Sequence, residues 1–222
     1  MNKVKIKEIF ESIQGEGPYI GYKQLFIRFC NCNLKCNYCD TEFSSDINFE
    51  EYYPHELADI VNKSQNVHSI SLTGGEPLLS VEFLKEFLPL VDKKIYLETN
   101  ATLSDKFIEI KNLVDIVSAD IKLESSTGLK NTLKLHDNFL QNCAGIETFA
   151  KIVFNKNITD NEINQCCSIG IKHNIELILQ PEMTGNNMRE DIDFCETTLD
   201  KFLSQYDKVR LIPQVHKFLN VR

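Results

Sequence analysis

Hydrophobic residues recur along this chain in short runs that alternate with polar residues or are rich in β-branched side chains, as in strands. The runs lie at residues 4–10, 24–29, 68–73, 94–99, 116–121, 147–154, 175–180 and 208–213. Segments with helical spacing lie at residues 54–63, 81–91, 105–111, 129–142, 161–173 and 189–205. Because strand and helix alternate from residue 68 onward, the pattern is typical of parallel βαβ units.

The number of these units predicts the fold class. About six units are fewer than the eight of a closed barrel, so we expect an α/β fold with a partial, open (β/α)6-type barrel. Sites in such folds collect at the carboxyl ends of the parallel strands. Four polar segments follow predicted strands, at residues 73–77, 98–100, 120–122 and 180–181. We therefore expect these segments to line one shared site.

The composition limits the class of function. With 222 residues, 42% hydrophobic and 25% charged, the chain is long enough for one domain over residues 1–222. No run approaches the roughly 18 consecutive apolar residues of a membrane span. The net charge of −8 argues against direct nucleic-acid binding, which needs clustered Lys and Arg, and favours a small-molecule substrate. Residues 1–7 lack the apolar run of a signal peptide, so we expect a cytoplasmic location.

Three cysteines in the spacing C-x3-C-x2-C, at Cys32, Cys36 and Cys39, carry the most specific chemistry of the sequence. Iron–sulfur clusters are held by cysteine thiolates, usually one for each iron. Three ligands would leave one iron of a four-iron cluster open to a small molecule, as an open position distinguishes a catalytic zinc site from a structural one. The additional thiol of Cys30 leaves a non-enzymatic zinc-binding module as an alternative. We interpret Cys30 instead as a buried packing residue.

The cysteine motif, with Tyr38 before its last cysteine and Gly-Gly-Glu-Pro at residues 74–77, resembles the radical S-adenosylmethionine enzymes. The resemblance implies a 4Fe-4S cluster bound by the three cysteines within a cluster-binding loop at residues 30–41. It also implies S-adenosyl-L-methionine (AdoMet), whose amino and carboxylate groups chelate the open iron. The implied cofactor-binding residues are Tyr38, Cys39, Asp40, Gly75, Asp120, Ile121, Lys122 and Gln180.

Segments at both ends make the resemblance more specific, to the 7-carboxy-7-deazaguanine synthases. These segments are Gln-Gly-Glu-Gly at residues 14–17, Cys-Asp-Thr at 39–41 and Gln-Val-His-Lys at 214–217, together with Arg28. The resemblance implies that Thr41 binds Mg²⁺ and that an N-terminal strand and loop contact the substrate. The implied substrate-binding residues are Ile13, Gln14, Gly15, Arg28, Thr73 and His216. A guanidinium suits a substrate carboxylate because its planar fork donates two parallel hydrogen bonds.

The reaction implied by this resemblance is a radical ring contraction. It converts 6-carboxy-5,6,7,8-tetrahydropterin to 7-carboxy-7-deazaguanine with loss of ammonia, in the biosynthesis of queuosine, a modified transfer-RNA nucleoside, and other 7-deazapurines. The cofactor supplies the chemistry, so no side chain is predicted to be a classical acid or base in the first step. The resemblance also implies a flavodoxin- or ferredoxin-type electron donor and a homodimer.

Two positions depart from the pattern of these synthases. Asp-Ile-Lys at residues 120–122 stands where they tend to carry Ser-Pro-Lys, and it resembles the Asp-x-Lys of glycyl-radical activating enzymes. An activating enzyme that acts on a protein partner is therefore a second alternative. Asn31 stands where a glycine usually precedes the first cluster cysteine.

Overall fold

The computed structural model describes residues 2–39, 48–130 and 132–221. Within these residues the strands are β1 (Val4–Ile13), β2 (Lys23–Phe29), β3 (Glu50–Tyr52), β4 (Ser69–Gly74), β5 (Ile95–Thr99), β6 (Ile116–Ile121), β7 (Glu147–Phe154), β8 (Glu176–Pro181), β9 (Met183–Thr184), β10 (Asn187–Met188) and β11 (Val209–Leu211). The α-helices are α1 (Pro54–Lys63), α2 (Val81–Phe87), α3 (Ser104–Ile108), α4 (Glu124–Thr127), α5 (Thr132–Leu140), α6 (Asp160–His173), α7 (Ile192–Leu203) and α8 (Val215–Leu219). All eight predicted strands are present, and β3, β9 and β10 are additional.

Nine of these strands form one sheet in the order β11-β8-β7-β6-β5-β4-β2-β1-β3. Seven strands, β2, β4, β5, β6, β7, β8 and β11, run parallel to one another. Strand β1 is antiparallel to both β2 and β3. Since β3 and β11 end this order, the sheet is open in the part of the chain that is described. The predicted α/β class, with parallel strands in a partial, open arrangement instead of a closed barrel, is confirmed.

Successive residues of each strand point to opposite faces of this sheet. The face that packs against the helices contains the main hydrophobic core, and its strand residues include Leu25, Ile27, Ile70, Leu72, Leu97, Val117, Ile152 and Leu179. The residues between them lie on the other face, which we call the inner face. Its polar members near the strand ends include Arg28, Thr73, Glu98, Asp120, Lys151 and Gln180. The alternation therefore separates the core from the candidate chemistry.

A second, smaller apolar cluster fills one end of the inner face. It consists of Tyr19, Tyr96, Ile116, Phe149 and Ile178. Tyr19 reaches it from a short 3-10 helix, Gly17–Tyr19. Gly17 has φ +64°, and a Cβ atom built on it would lie 2.6 Å from the Phe149 ring. Only glycine fits this turn, because it tolerates positive φ and leaves room for the ring.

A β-bulge in β1 changes which of its residues face the core. Ile6 pairs with Phe29, but Glu8 pairs with Arg28, so the register shifts between Ile6 and Glu8. Such a bulge re-aims the side chains that follow it. As a result Ile6 and Ile9 contact the main core, whereas Glu8 faces the inner side of the sheet.

The helices have sequence-encoded ends. In α6 the N-cap Thr159 and Glu162 form a capping box, and the helix ends at Asn174 with φ +55°. These caps satisfy terminal backbone groups that have no partner inside the helix. Across the described ranges, the helices are too short or too polar to span a bilayer.

Candidate active site

A cavity of about 530 Å³ lies at the carboxyl ends of the parallel strands, on the inner face. The predicted site residues that line it are Ile13, Gln14, Gly15, Arg28, Cys32, Cys36, Tyr38, Cys39, Thr73, Gly75, Asp120, Lys122, Gln180 and His216. The four polar strand-end segments thus meet at one site, as their positions predict.

Three predicted site residues need separate description. Ile121 has its side chain in the main hydrophobic core, 1% exposed, because it follows Asp120 and alternate strand residues face opposite sides. Only its backbone is available to a ligand at the inner face. Asp40 and Thr41 lie outside the described residues.

The loop that follows β2 brings the three motif cysteines to one wall of the cavity. Two N–H groups point at the Cys32 sulfur, from the Leu34 backbone at 3.5 Å and from the Asn100 amide at 3.8 Å. Burial raises the pKa of the Cys32 and Cys36 thiols, and the Lys122 ammonium opposes the rise at both. Although no three His, Cys, Asp or Glu side chains of the described residues form a preformed metal cage, sulfur ligands supported by N–H donors and a cation suit an anionic iron–sulfur cluster.

The Gly-Gly segment packs directly against this cysteine loop. A Cβ atom on Gly75 would lie 1.7 Å from the Asn31 backbone oxygen, and the same oxygen accepts a hydrogen bond from the Glu76 N–H at 2.8 Å. Asn31 has φ +66°, a left-handed conformation in which asparagine is better tolerated than most residues. Asparagine can therefore occupy the position where the synthases usually carry glycine.

Glu76 of this segment points into the protein and joins two strand ends. Its carboxylate accepts hydrogen bonds from the Leu78 N–H at 3.1 Å, the Thr99 hydroxyl at 2.9 Å and the Asn100 N–H at 2.8 Å. Burial raises the pKa of Glu76 to about 7 despite these donors. The side chain thus holds the ends of β4 and β5 together behind the cysteine loop.

The divergent Asp-Ile-Lys segment ends β6 beside the same loop. Lys122 Nζ donates to Asp120 Oδ2 at 3.0 Å and to the Tyr38 hydroxyl at 3.0 Å. Burial is the largest single influence and disfavours the charged form of Lys122, but Asp120, Tyr38 and Cys36 together outweigh it, so the pKa of Lys122 is raised. From α5, His136 Nε2 accepts the Lys122 backbone N–H at 3.0 Å. Lys122 therefore lies within hydrogen-bond distance of both Asp120 and Tyr38.

On the opposite side of the cavity, the Glu98 carboxylate accepts hydrogen bonds from two residues that were predicted to bind substrate, Gln14 and Thr73. The Gln14 amide donates to Glu98 Oε1 at 3.0 Å and to Gln24 at 2.9 Å, and the Thr73 hydroxyl donates to Glu98 Oε2 at 2.8 Å. Gln14 Oε1 accepts the Glu16 N–H at 3.0 Å. Because these bonds engage both ends of the Gln14 amide, its side chain holds the loop and presents Glu98 and Glu16 to the cavity.

The C-terminal segment closes over the loop that follows β1. The Val215 N–H donates to the Gly15 oxygen at 2.9 Å, and the Gln214 amide donates to Glu16 Oε1 at 2.6 Å. A Cβ atom on Gly15 would lie 2.4 Å from His216 Cβ. Glycine at position 15 is therefore required for the tail to bring His216 to the cavity.

Lys151 is a buried site residue that the sequence analysis missed. Its ammonium, 5% exposed, pairs with Glu16 and with Asp120 at 3.3 Å. These carboxylates raise its pKa against the effect of burial, and Lys151 in turn lowers the pKa of Glu16. The available signal was a lysine flanked on both sides by apolar residues of β7, at positions 149–150 and 152–154, since a buried lysine needs a partner.

Two further polar groups face the cavity. Arg28 Nε lies 3.0 Å from Glu8 Oε1, and its guanidinium lies over the Phe10 ring, 5.6 Å from the centroid. Gln180 is 3% exposed, and its Oε1 atom has no hydrogen-bond partner among the described residues. A buried acceptor without a partner is costly, so Gln180 suits a ligand that donates a hydrogen bond.

Comparison with known proteins agrees with this geometry. The Radical SAM superfamily profile matches residues 26–195, which is more than half of the chain. The chain therefore belongs to the radical SAM superfamily of enzymes. The crystal structure of QueE from Escherichia coli has a TM-score of 0.64 and 18% identity to this chain, covering 96% of this chain and 95% of that one. This likeness concerns the fold.

Full-length relatives are more specific. The 7-carboxy-7-deazaguanine synthase of Geobacter sulfurreducens is 34% identical over 97% of this chain and 96% of its own length. The synthase of Archaeoglobus fulgidus is 36% identical over 99% of this chain and all of its own length. Within the superfamily, the chain belongs to the 7-carboxy-7-deazaguanine synthase family, which confirms the predicted resemblance and favours neither alternative.

Proposed function

We propose that this enzyme converts 6-carboxy-5,6,7,8-tetrahydropterin to 7-carboxy-7-deazaguanine and ammonia, with AdoMet bound to a 4Fe-4S cluster. One observation carries the proposal: a single cavity joins the three-cysteine loop on one wall to the Glu16 and Glu98 carboxylates on another. A zinc module has no use for the second wall, and an activating enzyme would need room there for a peptide.

On the cofactor side, Cys32, Cys36 and Cys39 would hold the cluster. Together with AdoMet, it supplies the 5′-deoxyadenosyl radical when bound. Tyr38, Lys122 and the Gln180 oxygen line the adjoining wall and would orient AdoMet. Their contribution is to position the cofactor and exclude water, because the radical chemistry belongs to the cofactor.

On the substrate side, the charges match the groups of a carboxylated pterin. The amino and imide N–H groups of the pterin ring are donors, and the carboxylates of Glu98 and Glu16 are acceptors in a partly buried place where such bonds are strong. The substrate carboxylate would pair with Arg28, whose guanidinium offers a bidentate fork. Thr73, Gln14 and the Gly15–His216 contact then act by holding these groups in place.

The remaining features of the proposal follow the resemblance. Thr41 would bind a Mg²⁺ ion that neutralises the substrate carboxylate. A flavodoxin- or ferredoxin-type protein would supply the electron to a homodimer of single-domain chains in the cytoplasm. The product would enter queuosine biosynthesis for transfer-RNA modification.

The test is an anaerobic assay of the iron-reconstituted protein with AdoMet, dithionite, Mg²⁺ and 6-carboxytetrahydropterin, read by mass spectrometry. We expect 7-carboxy-7-deazaguanine only when AdoMet, reductant and pterin are all present, and a higher rate with Mg²⁺. Formation of 5′-deoxyadenosine without the deazaguanine would contradict the substrate assignment while leaving the radical machinery intact.

The variant Glu98→Gln tests the substrate wall separately from the cysteine wall. Glu98→Gln keeps the shape of the side chain but turns an acceptor-only group into one that also donates. We expect it to weaken pterin binding by about 2 kcal/mol, or roughly thirtyfold, while the iron content stays at the wild-type value. If Glu98→Gln left the KM for the pterin unchanged, Glu98 would not be a substrate contact.

A further inference from the structure

A continuous line of charged and polar groups crosses the floor of the cavity. Glu16, on the proposed substrate side, pairs with Lys151, and Lys151 lies 3.3 Å from Asp120 Oδ1. The other oxygen of Asp120 accepts from Lys122 at 3.0 Å, and Lys122 donates to the Tyr38 hydroxyl at 3.0 Å. The line therefore connects the loop that follows β1, which carries Glu16, to the cysteine loop that follows β2.

Lys151 is the member that joins the two halves. Its ammonium is nearly inaccessible to water and contacts one carboxylate from each side. Removing one partner from a buried ion group leaves an uncompensated charge and is strongly destabilising. The positions of Glu16 and Asp120 therefore depend on the same nitrogen atom, although these residues lie far apart in the sequence.

We propose that Lys151 is a positioning residue that couples the two ligand sites, so that AdoMet and the pterin each bind more tightly when the other is present. The proposal rests on the proposed function, because it takes the pterin as the ligand beside Glu16. A ligand that orders Glu16 also orders Lys151 and, through it, Asp120 and Lys122. The second ligand then meets groups that are already ordered, which is a source of positive coupling.

The coupling factor between the two ligands distinguishes a positioning role of Lys151 from a merely structural role. The factor by which AdoMet increases pterin affinity must equal the factor by which the pterin increases AdoMet affinity. A lysine that only stabilised the fold would change both affinities, or the stability, without changing this factor.

The test measures four dissociation constants for the full-length, iron-reconstituted enzyme by anaerobic equilibrium dialysis: AdoMet with and without the pterin, and the pterin with and without AdoMet. Reductant is omitted so that no turnover occurs. For the wild type we expect a factor on the order of ten in both directions. For Lys151→Met we expect a factor near one.

Two further variants keep the test decisive. Asp120→Asn interrupts the same line while the Lys151–Glu16 pair remains, so it should also remove the coupling even if Lys151→Met does not fold. Lys172→Met, on α6, removes an equal charge from an ion pair with Asp137 of α5 and should leave the factor unchanged.

The outcomes separate the two proposals. If the wild type binds both ligands without coupling, or if folded Lys151→Met and Asp120→Asn keep the full factor, the role of Lys151 is refuted and the proposed function stands. If the wild type binds AdoMet but no pterin, the proposed function falls and the coupling falls with it.

Discussion

His136 offers a sharp test of the interior behind the cofactor site. Its side chain is fully buried, Nε2 accepts the Lys122 N–H at 3.0 Å, and Nδ1 lies 3.2 Å from the Ala101 oxygen. These partners require the neutral ring with its proton on Nδ1. Burial is the main cause that lowers its pKa from 6.5 to about 4. We expect His136→Gln, which can also donate and accept at this place, to remove a specific pH dependence of stability.

The sign and size follow from the two pKa values. Because the folded-state pKa lies below the unfolded-state value, the unfolded chain takes up the proton first as pH falls through 6.5, and the free energy of unfolding decreases until the pH reaches about 4. The whole shift corresponds to about 3 kcal/mol. Between about pH 7.5 and about pH 5, the loss attributable to His136 is about 2 kcal/mol.

The assay is urea unfolding of the cluster-free protein at these two pH values, for the wild type and His136→Gln. At each pH we take the difference in the free energy of unfolding between the wild type and His136→Gln, and we compare this difference at the two pH values. Glu76 and other titrating groups contribute equally to the two proteins, so their effect cancels. The exposed His55 gives a control. The difference in the free energy of unfolding between the wild type and His55→Gln should be the same at the two pH values. A change for His136→Gln below about 0.5 kcal/mol would refute a neutral, buried His136.

Three further predictions concern the site. Cys36→Ala should lose the iron absorbance and all turnover, whereas Cys30→Ala, outside the cavity, should retain both; a Cys36→Ala protein that kept its iron would contradict the cluster assignment. Gly15→Ala should displace the tail at His216 and raise the pterin KM by about tenfold, the effect of an overpacking cost of about 1–3 kcal/mol, and an unchanged KM would show that the tail does not bind substrate. Asn31→Gly should preserve iron binding, whereas Asn31→Val should lower it, because valine tolerates positive φ poorly. Equal iron content in the two variants would show that this backbone conformation is not needed.

The strands and their faces were largely predictable from the sequence. The run around residues 68–73 predicts β4, and its alternation places Thr73 on the face opposite Leu72, as observed. The same rule explains Ile121, which the motif placed in the site although its position in β6 turns the side chain toward the core. Here the local period of two carried more information than membership in a motif.

The partners of the buried polar groups were not predictable in this way. Lys151 and Glu16 are 135 residues apart, and their contact depends on how the loop after β1 folds over the sheet. Likewise, the need for Gly75 arises from the Asn31 backbone, which reaches it only when β2 and β4 lie side by side. Neither relation has a periodic signal.

By itself, the sequence determined the α/β class and the set of strand ends that line one cavity, and it predicted three cysteines as ligands of the proposed cluster. It could do so because hydrophobic period and motif spacing are local properties of the chain. The tertiary structure alone decided which charges meet, so it revealed Lys151 between Glu16 and Asp120. The physical reason is that a buried charge is tolerated only beside an opposite charge or other polar partner. Which residue lies close enough to be that partner depends on the folded chain, and the order of residues in the sequence does not show it.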